Sequence, residues 1–436
     1  MKKTIVSTFA ILIMQMAYAQ EKSISLDSCI LYAFQHNRDL LIRAKNNSIE
    51  ENNIRASKYQ LLPDVTLSTG VDYYWKIPVQ LFPAQLFGGQ AGQFIPVRLG
   101  RPYMGNYGVE ADLDLVNINK WKDIKLALLQ KKLANGDMEA YKKELEKNIR
   151  LSYYNIALAK KKKATADSIY ASYSIVDSLI SLKFNEGITD KITRNQSKSI
   201  LSQDYSKSQS AATDLRIAVL NLKVWMNYPF NEELSIDPEI SLPDYSFAPF
   251  DAALAPEYEL KQLTAESAKQ NWQKAKTAWI PKLSLQSGYS KTGFGDNLSF
   301  ISDGGWYPSG YVGLKLSVPI SSLYKLKPYA DSQKISWEQS KLDLDSYVNK
   351  KEKEFLEAKL LLEKYKEKLR SSEQDLLLAK ENVALTLQKL RDGIIDMAQL
   401  KQVQDDLYKL QDEYSDSYLN YITSYINLNY LQSKKQ

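Results

Sequence analysis

The chain has 436 residues, of which 44% are apolar and 25% are charged, and its formal net charge at neutral pH is +6. This small excess of Lys and Arg is not gathered on a recognisable module, which excludes a typical nucleic-acid-binding protein. The single cysteine, Cys29, excludes an internal disulfide framework. The single histidine, His36, has no second histidine, paired cysteine or glycine-rich phosphate loop to act with, so we expect no enzyme, no metal site and no cofactor.

The first 19 residues have the order of a secretory signal peptide. Lys2 and Lys3 precede an apolar segment from 5 to 16, and Ala17-Tyr18-Ala19 provides small residues before the predicted cleavage site. No run of 18 or more apolar residues follows, which excludes a helical membrane protein. We therefore predict that residues 1–19 are removed and that the mature chain is exported.

Two strands are predicted in the first half of the mature chain, at about 64–76 and 105–116. Their residues alternate between polar and apolar types, and a period of two places the two sets on opposite faces of a sheet. Segments of about ten residues with aromatic residues toward one end are typical of outer-membrane strands, although a half-buried soluble sheet alternates in the same way. The connection from Lys76 to about Pro102, rich in Pro, Gly and Gln, is predicted to be an outward-facing loop.

A very long helix is predicted from about Asn117 to Phe184. At 1.5 Å per residue it would be about 100 Å long, so it must project from a domain of ordinary size. Gly187 supplies the left-handed residue at the turn that follows, and Asp190 is placed to cap the next helix. That helix carries a polar seam at heptad spacing, which we interpret as facing either water or a neighbouring subunit: Ile192, Ser199, Ser206, Thr213 and Leu220.

The second half of the chain repeats the order of the first. The matching segments are 62–70 with 280–288, 108–114 with 313–319, and 184–190 with 390–396. These matches predict an internal duplication, with a first structural repeat at 20–235 and a second at 256–436.

The second repeat contains predicted strands at about 281–292 and 309–319 and a helical hairpin with its turn at Gly393. Before that turn, apolar residues recur at every seventh position from Val348 to Leu390, which is the pattern of a coiled coil.

Four strands are too few to close a barrel in lipid, because an open edge would leave backbone groups unpaired at a cost of several kcal/mol each. We therefore predict that copies of the chain share their strands. The apolar residues predicted to face lipid are Val65, Leu67, Val71, Leu285, Leu314 and Leu316. The polar residues predicted to line the lumen are Asp72, Glu110, Asp112, Asp114, Lys282 and Lys315.

In combination, several of these motifs resemble the TolC family of outer-membrane efflux proteins over essentially all of the mature sequence. The residues that carry the resemblance are the strand openings Leu62-Pro63 and Ile280-Pro281, the strand end 313–319, the turns Phe184-x-x-Gly187 and Leu390-x-x-Gly393, and the helix start 26–33. The resemblance implies a mainly α fold with β: a trimer whose shared strands form a twelve-stranded outer-membrane β-barrel, continuous with a long α-helical coiled-coil periplasmic tunnel. The segment 236–255 would then be an irregular equatorial segment around that tunnel.

The resemblance also implies a function. The chain would be the outer-membrane exit duct of a multicomponent efflux or secretion system in a Gram-negative bacterium, with most of its mass in the periplasm. It would be a passive homotrimeric channel that docks on a periplasmic adaptor (membrane fusion) protein and an inner-membrane transporter. The tips implied to dock are Gly187, Ile188, Asp190, Gly393, Ile394 and Asp396.

The sequence departs from the family at the periplasmic entrance. Studied members narrow the entrance with aspartates on the helix after the second tip, whereas the corresponding residues here are Gln399 and Gln402. Asp396, Asp405 and Asp406 are near these positions but out of register with them, so an acidic entrance ring is not expected. The alternative function is a periplasmic coiled-coil adaptor or scaffold without a membrane barrel.

Overall fold

The computed structural model describes residues 24–236, 249–255, 257–303, 305–320 and 322–432. The predicted signal peptide therefore lies outside the described residues, as does most of the predicted irregular segment 236–255.

The described part of the chain is mainly helical, with strands in both halves. Its helices are α1 Leu26–His36, α2 Arg38–Tyr59, α3 Ile118–Asn185, α4 Lys191–Met226, α5 Tyr258–Thr277, α6 Phe300–Asp303, α7 Ser322–Arg391 and α8 Met397–Gln432. Its strands are β1 Asp64–Tyr73, β2 Val79–Pro83, β3 Phe94–Arg98, β4 Tyr103–Val116, β5 Lys282–Gly295 and β6 Trp306–Ser317. Among the described residues, no helix combines the length and the apolar character needed to cross a membrane.

These elements form two compact units. The helical unit contains the described residues of Met1–Asn46, Ala134–Gln262 and Asp343–Gln436. The sheet unit contains the described residues of Asn47–Leu133 and Leu263–Leu342.

The helical unit is held together by the heptad residues of its long helices. On α7, Leu362, Leu369 and Leu376 are buried at seven-residue spacing, as the sequence predicts. They join one apolar core with Tyr173 of α3 and Leu400 of α8. Because full burial of a Leu side chain stabilises by about 1.5–3 kcal/mol, a helix of this length gains its stability from a repeated stripe of such residues.

A second apolar core in the helical unit surrounds the start of the chain. Cys29 and Ala33 of α1 are fully buried there against Ile149 of α3 and Leu222 of α4. Ser25 caps α1 by accepting a hydrogen bond from the Ser28 amide at 3.3 Å. The small residues at 29 and 33 allow the short helix to approach its longer neighbours closely.

The sheet unit is built on a four-stranded antiparallel sheet in the order β1-β4-β5-β6. The first strand ends at Tyr73 rather than at about 76, and the last begins at Trp306 rather than at about 309. The sheet is open in one chain, with β1 and β6 at its edges. Closure into a barrel therefore stays a prediction.

The segment between β1 and β4, predicted as a loop, instead contains a β-hairpin. Strands β2 and β3 pair antiparallel, and a short 3-10 helix at Ala84–Phe87 joins β2 to the rest of the turn. Prolines 83 and 96 made strands improbable from sequence, yet both strands of an isolated hairpin are edges, where proline is tolerated. The chain reverses through Gly88 and Gly92, which have φ of 80° and 86°.

Candidate functional site

The turn between α3 and α4 ends one helix and starts the next with matched backbone hydrogen bonds. Gly187 has φ of 72°, and the amide of Ile188 donates to the carbonyl of Lys183 at 2.8 Å. This pairing satisfies a carbonyl that the helix end would leave free. Asp190 then caps α4 by accepting from the Thr193 amide at 2.7 Å, and that hydrogen bond holds the pKa of Asp190 below its usual value.

The turn between α7 and α8 has the same construction. Gly393 has φ of 74°, and the amide of Ile394 donates to the carbonyl of Lys389 at 2.9 Å. Asp396 accepts from the Gln399 amide at 2.9 Å at the start of α8. The two turns, which we call the tips (184–190 and 390–396), thus agree residue by residue in their backbone bonds.

Each tip exposes one isoleucine among charged and polar residues. Ile188 and Ile394 are 67% and 68% exposed. A Cβ added to Gly187 or Gly393 would meet nothing within 4 Å, so neither glycine is required by packing within the chain. Matched exposed isoleucines beside bare backbone form a surface against which another protein's helices could pack.

The structure brings the two tips together at the same end of the helical unit. A cleft of about 320 Å³ is lined by residues of both tips, including Thr189, Gly393, Asp396 and Met397. The hydroxyl of Tyr173 on α3 donates a hydrogen bond to the sulfur of Met397 at 3.8 Å, so the start of α8 contacts the first helical hairpin.

The entrance candidates Gln399 and Gln402 are exposed on α8. Asp406 is exposed seven residues after Gln399, on the same helix face, and the absence of an acidic entrance ring stays a prediction. Asp405 lies on another face, where Lys401 and Lys207 pair with it. Burial would raise the pKa of Asp405, but these hydrogen bonds outweigh it and lower that pKa.

Polar residues are buried between α4 and α8, and sequence reasoning missed them. Asp204 is fully buried, and neither carboxylate oxygen has a hydrogen-bond partner among the described residues. The buried amide of Gln404 and the hydroxyl of Tyr408 also lack partners there. Burial raises the pKa of Asp204, although Lys207, Lys401 and the nearby Tyr408 hydroxyl, whose contact is outside normal hydrogen-bond geometry, oppose this effect.

Helix α4 buries a different face from the one that carries the predicted heptad seam. The heptad seam that begins at Ile192 and passes Ser199 and Ser206 is exposed, consistent with its interpretation as a face toward water or a neighbour. The buried face of α4 instead carries Ser197, Asp204 and Ser208 together with Ile200. The three- and four-residue spacing of these positions is that of a buried helix face, but polar residues at such positions normally indicate a solvent-exposed face.

We expect Asp204→Asn to raise the stability of the helical unit at pH 7 by about 1–3 kcal/mol, because the cost of burying this carboxylate exceeds the stabilisation from Lys207 and Lys401, as the raised pKa indicates. The native pKa of Asp204 is raised, so the folded chain binds more protons than the unfolded chain, and stability falls as pH rises through the native pKa. Thermal unfolding in detergent should therefore show the gain at pH 7 and lose it below about pH 4.

Asp177→Asn is the matched control for this prediction. Asp177 accepts hydrogen bonds from Arg194 at 2.9 Å and Ser197 at 2.5 Å, so its replacement should lower the unfolding midpoint. An Asp204→Asn variant that is less stable than the native chain at pH 7 would contradict the prediction.

The register of the four-stranded sheet separates polar from apolar residues. Glu110 lies opposite Thr66 and Gly288, and Leu314 lies opposite Leu285. Followed across all four strands, the register places the six predicted lumen residues on one face: Asp72, Glu110, Asp112, Asp114, Lys282 and Lys315. It places the six predicted lipid residues on the other: Val65, Leu67, Val71, Leu285, Leu314 and Leu316.

The two faces of this sheet also differ in their contacts. On the polar face, the Gln286 amide donates to Asp112 and the Ser284 hydroxyl donates to Asp114, both at 2.7 Å. On the apolar face, Leu67 and Leu314 are 74% and 68% exposed. A sheet that exposes its apolar face and satisfies its polar face internally is suited to an apolar environment on one side and water on the other.

The single histidine, His36, and the single cysteine, Cys29, contact neighbouring side chains and backbone of the helical unit. His36 is exposed, stacks on Tyr32 at 4.1 Å between ring centroids, and bonds through Nδ1 to the Tyr32 carbonyl at 2.9 Å. Burial raises the pKa of the Cys29 thiol to about 11. Within the part of the chain that is described, no group of three or more His, Cys, Asp or Glu side chains is placed to hold a metal ion.

No protein-family model and no curated protein sequence matches the chain. Its structure, however, is similar to those of solved outer-membrane channels. The CmeC outer-membrane channel of Campylobacter jejuni is 12% identical with a TM-score of 0.74, over 94% of this chain and 87% of that chain. The MtrE outer-membrane channel of Neisseria gonorrhoeae in its open state is 15% identical with a TM-score of 0.72, over 94% and 89%.

A third structure, the outer-membrane protein VceC of Vibrio cholerae, is 13% identical with a TM-score of 0.72, over 93% of this chain and 95% of that chain. Agreement over nearly the whole of both chains at such low identity shows a shared fold. The fold resemblance identified in the sequence is therefore confirmed: the chain has the TolC-like outer-membrane channel fold.

Proposed function

We propose that this chain is the outer-membrane exit duct of a multicomponent efflux or secretion system. The observation that carries the proposal is the similarity of fold, over more than nine-tenths of the chain, to outer-membrane channels such as CmeC and MtrE. The sheet adds independent support, because its exposed apolar face has the arrangement that lipid requires. The duct is passive, needs no cofactor and provides a path rather than a reaction.

The membrane part of this duct is a barrel shared among three copies. Strands β1 and β6 are the open edges of the sheet in one chain. In hydrocarbon their unpaired N–H and C=O groups would each cost several kcal/mol, so β1 of one copy pairs with β6 of the next. Three copies of a four-stranded sheet give twelve strands, with the polar face toward the lumen and the apolar face toward lipid.

Accordingly, we expect the mature chain to be purified in mild detergent as a homotrimer. Native mass spectrometry should give three times the mass of the mature chain. A monomer or a dimer at concentrations where the protein is folded would contradict the shared barrel, because either would leave strand edges open.

The helical end of the duct docks in the periplasm. The tips Gly187, Ile188, Asp190, Gly393, Ile394 and Asp396 pack against an adaptor (membrane fusion) protein, which connects the duct to an inner-membrane transporter. The support for this assignment is the matched geometry of the two tips and their exposed isoleucines. Gln399 and Gln402 lie at the entrance with Asp406, so the entrance is less acidic than a ring of paired aspartates would be.

Cell fractionation tests the proposal against the alternative of a periplasmic scaffold. A duct with its own leader is recovered in the outer-membrane fraction and leaves it only in detergent, with most of the mass protected in the periplasm. A scaffold is released with the soluble periplasmic proteins. The exposed apolar face of the sheet favours the first outcome, because a soluble protein rarely leaves so continuous an apolar surface uncovered.

A further inference from the structure

The hairpin between β1 and β4 carries an uncovered apolar surface. Strands β2 and β3 pair through Leu81 opposite Pro96 and Pro83 opposite Phe94, so these four residues share one face. Leu81 and Phe94 are exposed on it. On the other face, Phe82 is partly buried, which distinguishes the two sides.

The turn of the hairpin extends the apolar surface. Leu86 is 70% exposed and Phe87 is exposed beside it, whereas Ala84 is buried under the turn. A two-stranded hairpin is at best marginally stable by itself in water. Its stability in the working protein therefore requires something apolar to cover Leu81, Leu86 and Phe94.

The charged residues of the hairpin segment indicate which kind of partner covers its apolar face. The segment 74–102, which holds the hairpin, contains Lys76, Arg98 and Arg101 and no Asp or Glu. Trp75, exposed at the end of β1, lies with its ring 5.4 Å from the Lys76 ammonium. Exposed aromatic and aliphatic side chains beside cations, without acidic residues, are typical of segments that lie in a membrane interface and bind anionic head groups.

We propose that the hairpin 79–98 lies on the outer leaflet of the membrane, with its apolar face in the lipid boundary and Lys76 and Arg98 on anionic lipid phosphates. This inference rests on the proposed outer-membrane function, and it assigns a lipid-binding role to a segment outside the barrel and the tips. Long Lys and Arg stems allow the charge to reach the phosphates while the hydrocarbon part stays in the apolar layer.

Mutual contact of the hairpins across a trimer is the competing arrangement. It would gather three sets of cations without an acidic residue from the same segment to neutralise them. Asp296, which lies outside the hairpin, pairs with Arg101 at 3.3 Å. It does not neutralise the charge of Lys76 or Arg98. Like charges brought together are repelled, whereas an anionic lipid surface attracts each of them.

A fluorophore placed on the hairpin tests the proposal. Leu86→Cys is labelled with an environment-sensitive dye, which the native Cys29 will not take up because it is fully buried and its thiol pKa is about 11. The labelled full-length trimer is placed in lipid nanodiscs of phosphatidylcholine, with and without phosphatidylglycerol. Ile188→Cys, which has nearly the same exposure but lies on a tip, is the matched control.

We expect the Leu86 label to shift to the blue on transfer from detergent to nanodiscs, and to shift further when anionic lipid is present. The double variant Lys76→Gln/Arg98→Gln should lose most of the difference between anionic and neutral bilayers, while the Ile188 label should not respond to either lipid.

Two results would overturn the proposal. One is a Leu86 label that stays solvent-exposed in every bilayer. The other is a label already shifted in the detergent trimer and indifferent to lipid charge, which would show that the hairpins cover one another. Trimer mass and nanodisc insertion are measured on the same samples: a chain that fails to insert overturns the proposed function itself, whereas an inserted trimer with an unresponsive hairpin overturns only this inference.

Discussion

Replacing Gly393 by tryptophan is expected to abolish export in cells while trimer assembly and membrane insertion stay nearly intact. The glycine has φ of 74°, and a side chain there costs about 1–2 kcal/mol in backbone strain. That loss is small for a unit held by the long apolar core of α3, α7 and α8. A Cβ at Gly393 meets no atom of the chain within 4 Å, so the indole projects into the space that a docked adaptor would occupy.

Gly393→Ala separates the two effects of this substitution. Alanine introduces the same left-handed strain with only a methyl group, so it should retain most of the export. Gly187→Trp should lose export as well, since its tip has the same geometry, with φ of 72°. Export is measured as efflux of the pump's substrate from cells, and assembly is measured as trimer mass. If the tryptophan variant assembles and exports normally, or if the alanine variant fails equally, the tips are not docking surfaces.

Leu314→Arg is expected to block membrane insertion. Leu314 lies in the middle of β6, is 68% exposed and points to the apolar face. An Arg facing lipid near the bilayer midplane costs about 2–4 kcal/mol, and the proposed trimer would repeat that cost in each copy. The expected result is a variant that is exported but is absent from the outer-membrane fraction and more readily degraded.

The neighbouring residue on the same strand is the control. Gly313 lies opposite Gln286 on the polar face, and a Cβ added there meets nothing within 4 Å. Gly313→Arg should therefore insert as well as the native chain and lower the single-channel conductance by narrowing the lumen. Similar insertion of the two variants would mean that the faces of the sheet have been assigned the wrong way round.

The features that the sequence predicted best depend on short-range patterns. The alternation along β1, β4, β5 and β6 needs only a period of two, and the register then carries each polar residue to a common face. The tip glycines and their capping aspartates are equally local, and the turns adopt the left-handed geometry that these residues favour. The roles assigned to these faces and tips stay predictions until the variants above are measured.

The features that were missed depend on long-range burial. The richness of the 76–102 segment in Pro, Gly and Gln predicts a loop, yet Pro83 and Pro96 are tolerated in β2 and β3 because both strands are edges. Asp204 was missed because an acidic residue at helical spacing indicates a solvated face, and only the arrival of α8 beside α4 makes that face internal.

The strand order of the sheet also determines when it can be completed. The pairing of β4 with β5 joins residues far apart in sequence, such as Asp114 and Ser284, which are 170 positions apart, whereas β1–β4 and β5–β6 are closer neighbours along the chain. Such a long loop closes slowly, and in a chain synthesised from its amino terminus β4 has an unpaired edge until β5 is available. During that interval the apolar face and the open edge are exposed to other copies of the chain, which favours aggregation. We therefore expect completion of the sheet to depend on when the second half of the chain becomes available.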